Sequence, residues 1–332
     1  MMEPLIEVKN LSQEFHLTKG LLQSLRFEKG KLIKEDKVVH AVNSVNFQIQ
    51  KGEVFSLVGE SGCGKSTTAR TIIRLLEPTG GQVLYKGKDI SHLSAKELLP
   101  YRKSMQMIFQ DPYASLNPRQ RVEEIIMEPL LFHGIAKTRS EARERCMDIL
   151  KRVGIRPEQA GRYPHQFSGG QRQRIGIARA LAVNPEFIIA DEPVSALDVS
   201  IQAQILNLLM DLKDEFNFSY LFIAHDLSVV RHISDRLGVM YLGSIVELGD
   251  KHALFGNPVH PYTKVLFSAV PTVGEKPLVE SIEAQGEIPS PVNLPKGCYF
   301  SDRCPYATEK CRREKPVLKE IEPGHLAACH ML

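Results

Sequence analysis

The chain has 332 residues, 43% hydrophobic and 24% charged, with Lys+Arg 42 against Asp+Glu 39 and a net charge of +3. That length predicts about two domains and a core that needs no disulfides, and the composition excludes disordered and collagen-like chains. The charge is too near neutral for a dedicated nucleic-acid domain, and no uncharged apolar stretch approaches the roughly 18–20 residues that span a bilayer.

In chain order, MMEPLIEVKN lacks a basic region followed by an apolar one. This predicts no secretory signal and a cytoplasmic chain that serves a membrane, if at all, by docking onto another protein. Residues 5–9 and 41–49 read as strands, and the polar, Lys-rich stretch 17–37 between them as a loop or hairpin. Glu53–Val58 is an apolar run ending at Gly59, the pattern of a buried strand feeding a turn. Thr67–Leu76 then reads as a helix stopped near Pro78. Residues 113–181 are rich in helical pattern, with Ala142, Cys146, Ile149, Leu150 and Val153 at helical spacing. Strands are expected at Phe187–Ala190, Tyr220–Ala224, Leu237–Tyr241 and Ile245–Leu248, and a helix at Ile201–Leu212. From about residue 256 prolines punctuate the chain, which reads as a separate C-terminal appendage.

Gly59-Glu60-Ser61-Gly62-Cys63-Gly64-Lys65-Ser66 matches the phosphate-loop pattern G-x-x-x-x-G-K-S/T, between a strand and a helix. Glycines let backbone N–H groups converge on phosphate oxygens, and the next helix offers its positive end to the same anion. Lys65 then reaches the β- and γ-phosphates and the Ser66 hydroxyl ligates Mg²⁺. The candidate ATP contacts are Gly59, Ser61, Gly62, Cys63, Gly64, Lys65, Ser66 and Thr67. The apolar strand Phe187–Ala190 ends in Asp191 and Glu192. Asp191 is expected to serve the metal and Glu192 to polarise an attacking water, as a hydrolase requires.

Phe167-Ser168-Gly169-Gly170-Gln171 precedes a second helical run, Arg172–Ala182, and makes a second anion site in waiting. With this motif the sequence resembles the ATP-binding cassette (ABC) family over roughly residues 5–250, Phe167 standing where Leu is usual. The resemblance implies an α/β phosphate-loop ABC ATPase, with a RecA-like core, an antiparallel β subdomain and a helical subdomain at about 113–181. It implies that Ser168, Gly169, Gly170 and Gln171 contact ATP held by a second subunit in a head-to-tail dimer. Gln110 matches the glutamine that touches Mg²⁺ and relays contact to membrane subunits. Asp198 matches the interface loop, His225 the histidine on the γ-phosphate, and Phe15 the aromatic that stacks on adenine. The catalytic set is therefore Glu192, His225 and Lys65, and the Mg²⁺ set Ser66, Gln110 and Asp191.

No coiled coil, second cassette or membrane span is seen, which favours an importer subunit over other branches. His260-Pro261-Tyr262-Thr263, Gly297-Cys298 and Arg303-Cys304-Pro305 resemble the C-terminal extension of dipeptide/oligopeptide permease ATP-binding subunits. The implied division is a cassette at 1–255 and an extension at 256–332. The implied function is ATP hydrolysis driving di- or oligopeptide import from the cytoplasmic face of the membrane. Its partners would be a second, similar ATP-binding subunit, two permease subunits and an extracytoplasmic binding protein. Nickel, glutathione, antimicrobial peptides and sugar oligomers are the alternative cargoes, and a non-transport ABC ATPase the remoter reading. Cys298, Cys304, Cys311 and Cys329 are spaced more widely than the usual zinc knuckle. They suit an iron–sulfur cluster better, with zinc and structural cysteines as alternatives, and the resemblance implies 4Fe–4S.

Overall fold

The computed structural model describes residues 3–17, 25–28, 31–34, 37–269 and 282–332. The chain opens with β1 (Ile6–Leu17), β2 (Leu25–Glu28), β3 (Lys31–Lys34), β4 (Lys37–Ile49) and β5 (Val54–Val58), then α1 (Lys65–Ile72). Next come β6 (Gly80–Tyr85), β7 (Lys88–Asp89), α2 (Ala95–Ser104), β8 (Met105–Ile108), α3 (Val122–Phe132), α4 (Arg139–Arg152) and α5 (Gly169–Leu181). Then follow β9 (Phe187–Asp191), α6 (Val199–Phe216), β10 (Ser219–Ile223), α7 (Leu227–Ile233), β11 (Arg236–Tyr241) and β12 (Ser244–Asp250). The chain ends with α8 (Lys251–Gly256), α9 (Pro261–Ser268), α10 (Glu309–Arg313), β13 (Lys319–Glu322) and β14 (His325–Ala327).

Two compact units divide the chain, each built from separate stretches of it, and one of the points where the chain passes from one to the other falls inside β5, between Ser56 and Leu57. One unit takes in residues 49–56 and 93–235. Here β9 lies parallel to both β8 and β10, with Ile189 opposite Met107 and Leu221. Every residue of β9 and β10 is buried, the expected fate of uninterrupted apolar runs in a parallel sheet covered on both faces. Helices α3, α4 and α5 occupy the stretch read as helical. In α4, Thr138 caps the start by accepting the Glu141 N–H at 3.2 Å, and Ala142, Cys146 and Leu150 form the buried stripe. Burial pushes the Cys146 thiol up to about 12, so it stays neutral.

The other unit takes in residues 6–48, 57–92 and 236–332. Its first sheet, ordered β4-β1-β6-β7, pairs β1 with β6 antiparallel, Val8 opposite Val83. The register shifts between Lys9 and Ser12, where Gly81 has φ 80° and a Cβ would lie 2.2 Å from the Asn10 carbonyl oxygen. In the 17–37 stretch β2 and β3 pair as an antiparallel hairpin. The remainder of that reading, residues 18–24, 29–30 and 35–36, lies outside the described residues.

Several boundaries move. The helix read at Thr67–Leu76 begins at Lys65 and ends at Ile72. Gly64, at φ 105°, starts it early, and the Leu75 and Leu76 N–H groups turn back onto the Arg70 carbonyl to close it. The C-terminal stretch is tied to this unit by strand pairing: β14 lies antiparallel to β12, with Leu326 opposite Leu248, and β13 pairs onto β14.

Candidate active site

The phosphate loop follows β5 and needs its glycines for stated reasons. Gly59, Gly62 and Gly64 have φ of 148°, 79° and 105°. A Cβ on Gly59 would lie 2.2 Å from the Met240 carbonyl oxygen, and one on Gly64 would lie 2.2 Å from that of Ala41. Both are backbone collisions, so no side chain fits. Lys65 opens α1 and is buried, 5% exposed. Its ammonium donates to the carbonyls of Gly59 at 2.7 Å and Glu60 at 3.0 Å. Cys63 is buried 3.6 Å from the same ammonium. Burial raises its thiol above the usual range against the pull of Lys65. Ser66 and Thr67 lie in the first turn of α1. Phe15 stands near the end of β1, 37% exposed.

Two residues that sequence reasoning did not place at this loop also hold it. The Glu60 N–H donates to the Tyr262 hydroxyl at 2.8 Å. The Arg303 guanidinium grips the Glu60 carboxylate with two bonds, 2.8 and 3.0 Å. Both residues lie in stretches singled out for other reasons. No local signal ties them to a loop 200 residues earlier.

The acidic pair sits at the end of β9 in the other unit. Asp191 is 1% exposed. Glu192 has φ 45°, unusual for a side-chain-bearing residue. Its N–H is pinned to the Ile223 carbonyl at 3.0 Å, and its own carbonyl accepts the Ser195 hydroxyl at 3.1 Å. Gln110, just after β8, donates to the Glu192 carboxylate at 2.8 Å, and His225 Nδ1 lies 3.6 Å from the same oxygen. Glu192, Ser195, Gln202, His225 and Asp226 line a cavity of about 50 Å³, enough for a water. The structure thus brings Gln110, Glu192 and His225 to one spot.

Ser168 caps α5 with a reciprocal pair of bonds: its hydroxyl accepts the Gln171 N–H, and the Gln171 side chain accepts the Ser168 N–H at 3.1 Å. Phe167 is buried and anchors the turn, while Ser168 and Gly169 face solvent. A Cβ on Gly170 would meet Ile201 at 2.6 Å. The run read as Arg172–Ala182 therefore starts at Gly169 and presents its N-terminal end outward. Asp198 is the N-cap residue of α6.

The four C-terminal cysteines are free thiols. Burial pushes Cys298 up to about 11, with Cys311, Cys329 and Cys304 all close enough to add to the effect. Burial likewise raises Cys304 and Cys329, each also sensing Cys311. The Cys298 N–H donates to the Cys311 carbonyl at 2.7 Å, and Gly297 has no room for a Cβ against that carbonyl. Among the described residues no group of three or more His, Cys, Asp or Glu side chains is placed to hold a metal ion.

Among the described residues no helix is long and apolar enough to cross a membrane. The ABC transporter family model matches residues 42–195. The model for the oligopeptide/dipeptide transporter C-terminal region matches residues 246–311. The chain is 54% identical over 332 residues to the oligopeptide transport ATP-binding protein AppF of Bacillus subtilis (strain 168), covering 99% of this chain and 98% of that protein. It is 46% identical over 329 residues to the di/tripeptide transport ATP-binding protein DppF of Pseudomonas aeruginosa (strain UCBPP-PA14), covering 99% and 98%. A similar solved structure is the dimeric post-hydrolysis state of the ATP-binding cassette MJ0796 bound to ADP and Pi. It has a TM-score of 0.63 and 30% identity, and the match covers 74% of this chain and 98% of that one. The chain therefore belongs to the ABC transporter family: it is an ATP-hydrolysing cassette of the α/β ABC ATPase fold, with the C-terminal region of the oligopeptide/dipeptide transporters.

Proposed function

We propose that this chain powers import of di- or oligopeptides by hydrolysing ATP at a site shared with a second cassette. The observation that carries the hydrolytic part is the grouping of Gln110, Glu192 and His225 around one carboxylate oxygen beside a water-sized cavity. In this reading ATP lies along Gly59–Thr67, with adenine against Phe15 and Lys65 moving from its two carbonyl partners onto the β- and γ-phosphates. Glu192 takes a proton from the attacking water. His225 and Gln110 orient that water and the γ-phosphate.

As the family resemblance implies, the Ser66 hydroxyl, the Gln110 amide and the buried Asp191 carboxylate would serve Mg²⁺, an ion that keeps several waters and takes few protein ligands besides phosphate. Bound there, Mg²⁺ would neutralise charge on the β- and γ-phosphates. Across the interface, Ser168, Gly169, Gly170 and Gln171 of a partner cassette would offer the helix end to the γ-phosphate, with Asp198 at the contact.

Peptide as cargo is supported by the names of the relatives and the matched C-terminal region. The reading places the chain at the cytoplasmic face of the membrane, with a second ATP-binding subunit, two permease subunits and an extracytoplasmic binding protein. Residues 256–332 form its appended module. We assign Cys298, Cys304, Cys311 and Cys329 a 4Fe–4S cluster, with zinc as the alternative; iron, sulfide and zinc analysis of anaerobically purified protein tests that assignment. Purification in mild detergent tests the assembly: two polytopic permease subunits should accompany the chain, and recovery of ribosomes or DNA instead would overturn the reading.

A further inference from the structure

Glu60 is the second residue of the phosphate loop and is held twice by the C-terminal region. Its backbone N–H goes to the Tyr262 hydroxyl and its carboxylate to Arg303. Both holders are fixed. Tyr262, Tyr241 and Phe300 form an aromatic cluster with ring centroids 4.6–5.4 Å apart. The Arg303 guanidinium lies 5.8 Å from the Tyr241 ring and 5.7 Å from that of Phe300. His260 caps α9 by accepting the Tyr262 N–H at 3.1 Å, and its own N–H donates to the buried Glu247 carboxylate at 2.9 Å. Burial pushes the Tyr262 hydroxyl well up, so it stays neutral and keeps a lone pair for Glu60. The Glu60 carbonyl in turn holds Lys65.

Electrostatics adds a second consequence. A loop that receives a triphosphate carries a carboxylate of its own. Left unpaired, that carboxylate would repel the ligand across a partly buried site where charges are poorly screened. The two-pronged pairing with Arg303 neutralises it.

We propose that Arg303 and Tyr262 are positioning residues for nucleotide binding: they clamp Glu60, set the shape of the phosphate loop and cancel its one carboxylate. The C-terminal region is then part of the ATP site, and its folding licenses nucleotide affinity. This rests on the reading that Gly59–Ser66 holds the phosphates.

The test is equilibrium binding of a fluorescent ATP analogue to the full chain, with thermal melting of each variant. Arg303→Ala should weaken binding about tenfold, the scale of a charge-assisted hydrogen bond. Removing the stranded charge in Arg303→Ala/Glu60→Gln should restore most of it, a rescue that a purely structural role does not produce. Arg303→Lys and Tyr262→Phe keep the packing and should each weaken binding by about threefold, the scale of one neutral hydrogen bond; they carry the test if Arg303→Ala fails to fold. Wild-type binding in these variants, or a double variant as weak as Arg303→Ala, would overturn the proposal. Lys65→Ala separates the two readings. Loss of binding there with intact binding in the Arg303 and Tyr262 variants sinks only this inference. Intact binding in Lys65→Ala sinks the phosphate-loop reading itself.

Discussion

Gln110 donates its side-chain N–H to the Glu192 carboxylate at 2.8 Å, across 82 residues of sequence. The bond links the turn after β8 to the end of β9, two strands that are parallel neighbours. In the proposed reading, a change at the Gln110 turn, where the family resemblance places contact with membrane subunits, would reach the Glu192 carboxylate through one hydrogen bond.

Glu192→Gln keeps the shape of this group and removes the proposed base. ATP hydrolysis should fall by about 10²–10⁴-fold, the usual contribution of a general base, while ATP binding persists. Turnover and retained nucleotide on the purified protein check this. Normal turnover would remove Glu192 from its role.

Gly59→Ala should lower the melting temperature and abolish ATP binding together. The added Cβ would sit 2.2 Å from the Met240 carbonyl oxygen at a φ of 148°. Strain at such a backbone position alone costs about 1–3 kcal/mol, and the collision adds to it. Calorimetry and nucleotide binding on one preparation test the pairing of the two losses. Gly62→Ala is the informative neighbour: nothing lies within 4 Å of its Cβ, so its melting temperature should fall less.

Ser168→Asp separates the cap of α5 from its outward task. Asp caps as well as Ser and suits the helix dipole, so the melting temperature should hold. The new carboxylate would face the partner's triphosphate, and ATP-driven pairing of cassettes should be lost. Light scattering with and without ATP reads this. Undiminished pairing would argue against a trans contact at Ser168.

His260 gives a pH signature. Burial lowers it from the usual 6.5 to about 4, with Glu247 opposing the shift. The unfolded chain therefore binds a proton below pH 6.5 that the native chain refuses. Stability is fully present above that pH and is lost as pH falls toward 4. His260→Asn, which keeps a side-chain acceptor for the Tyr262 N–H, should flatten the decline in melting temperature between pH 7 and pH 5. An unchanged slope would show that other groups carry it.

Legibility in the sequence followed the range of the interactions. The phosphate loop and the strand into Asp191–Glu192 are set by residues a few positions apart, and each was readable from type and spacing, whereas the Ser168 cap went unread and the helix was expected to start at Arg172 rather than Gly169. Helix α2 was not readable, because Pro100 inside it hides a start that Ser94 and Glu97 define by a capping box. Strands β13 and β14 were not, because Lys319–Glu322 is charged and largely exposed, and only pairing reveals it as a strand. Arg303 and Tyr262 lay within noticed motifs, yet their meeting with Glu60 is a product of tertiary packing. The four cysteines were counted correctly, but their spacing does not fix the geometry of what they hold.

The central claim is that ATP hydrolysis by this chain drives peptide transport. The most direct measurement places the chain with its co-purified permease subunits in proteoliposomes and follows ATP hydrolysis as oligopeptide and binding protein are added to the opposite face. The account predicts hydrolysis that rises with peptide, with peptide accumulating on the ATP side, and neither with Glu192→Gln. Hydrolysis indifferent to peptide, with no accumulation, would contradict it.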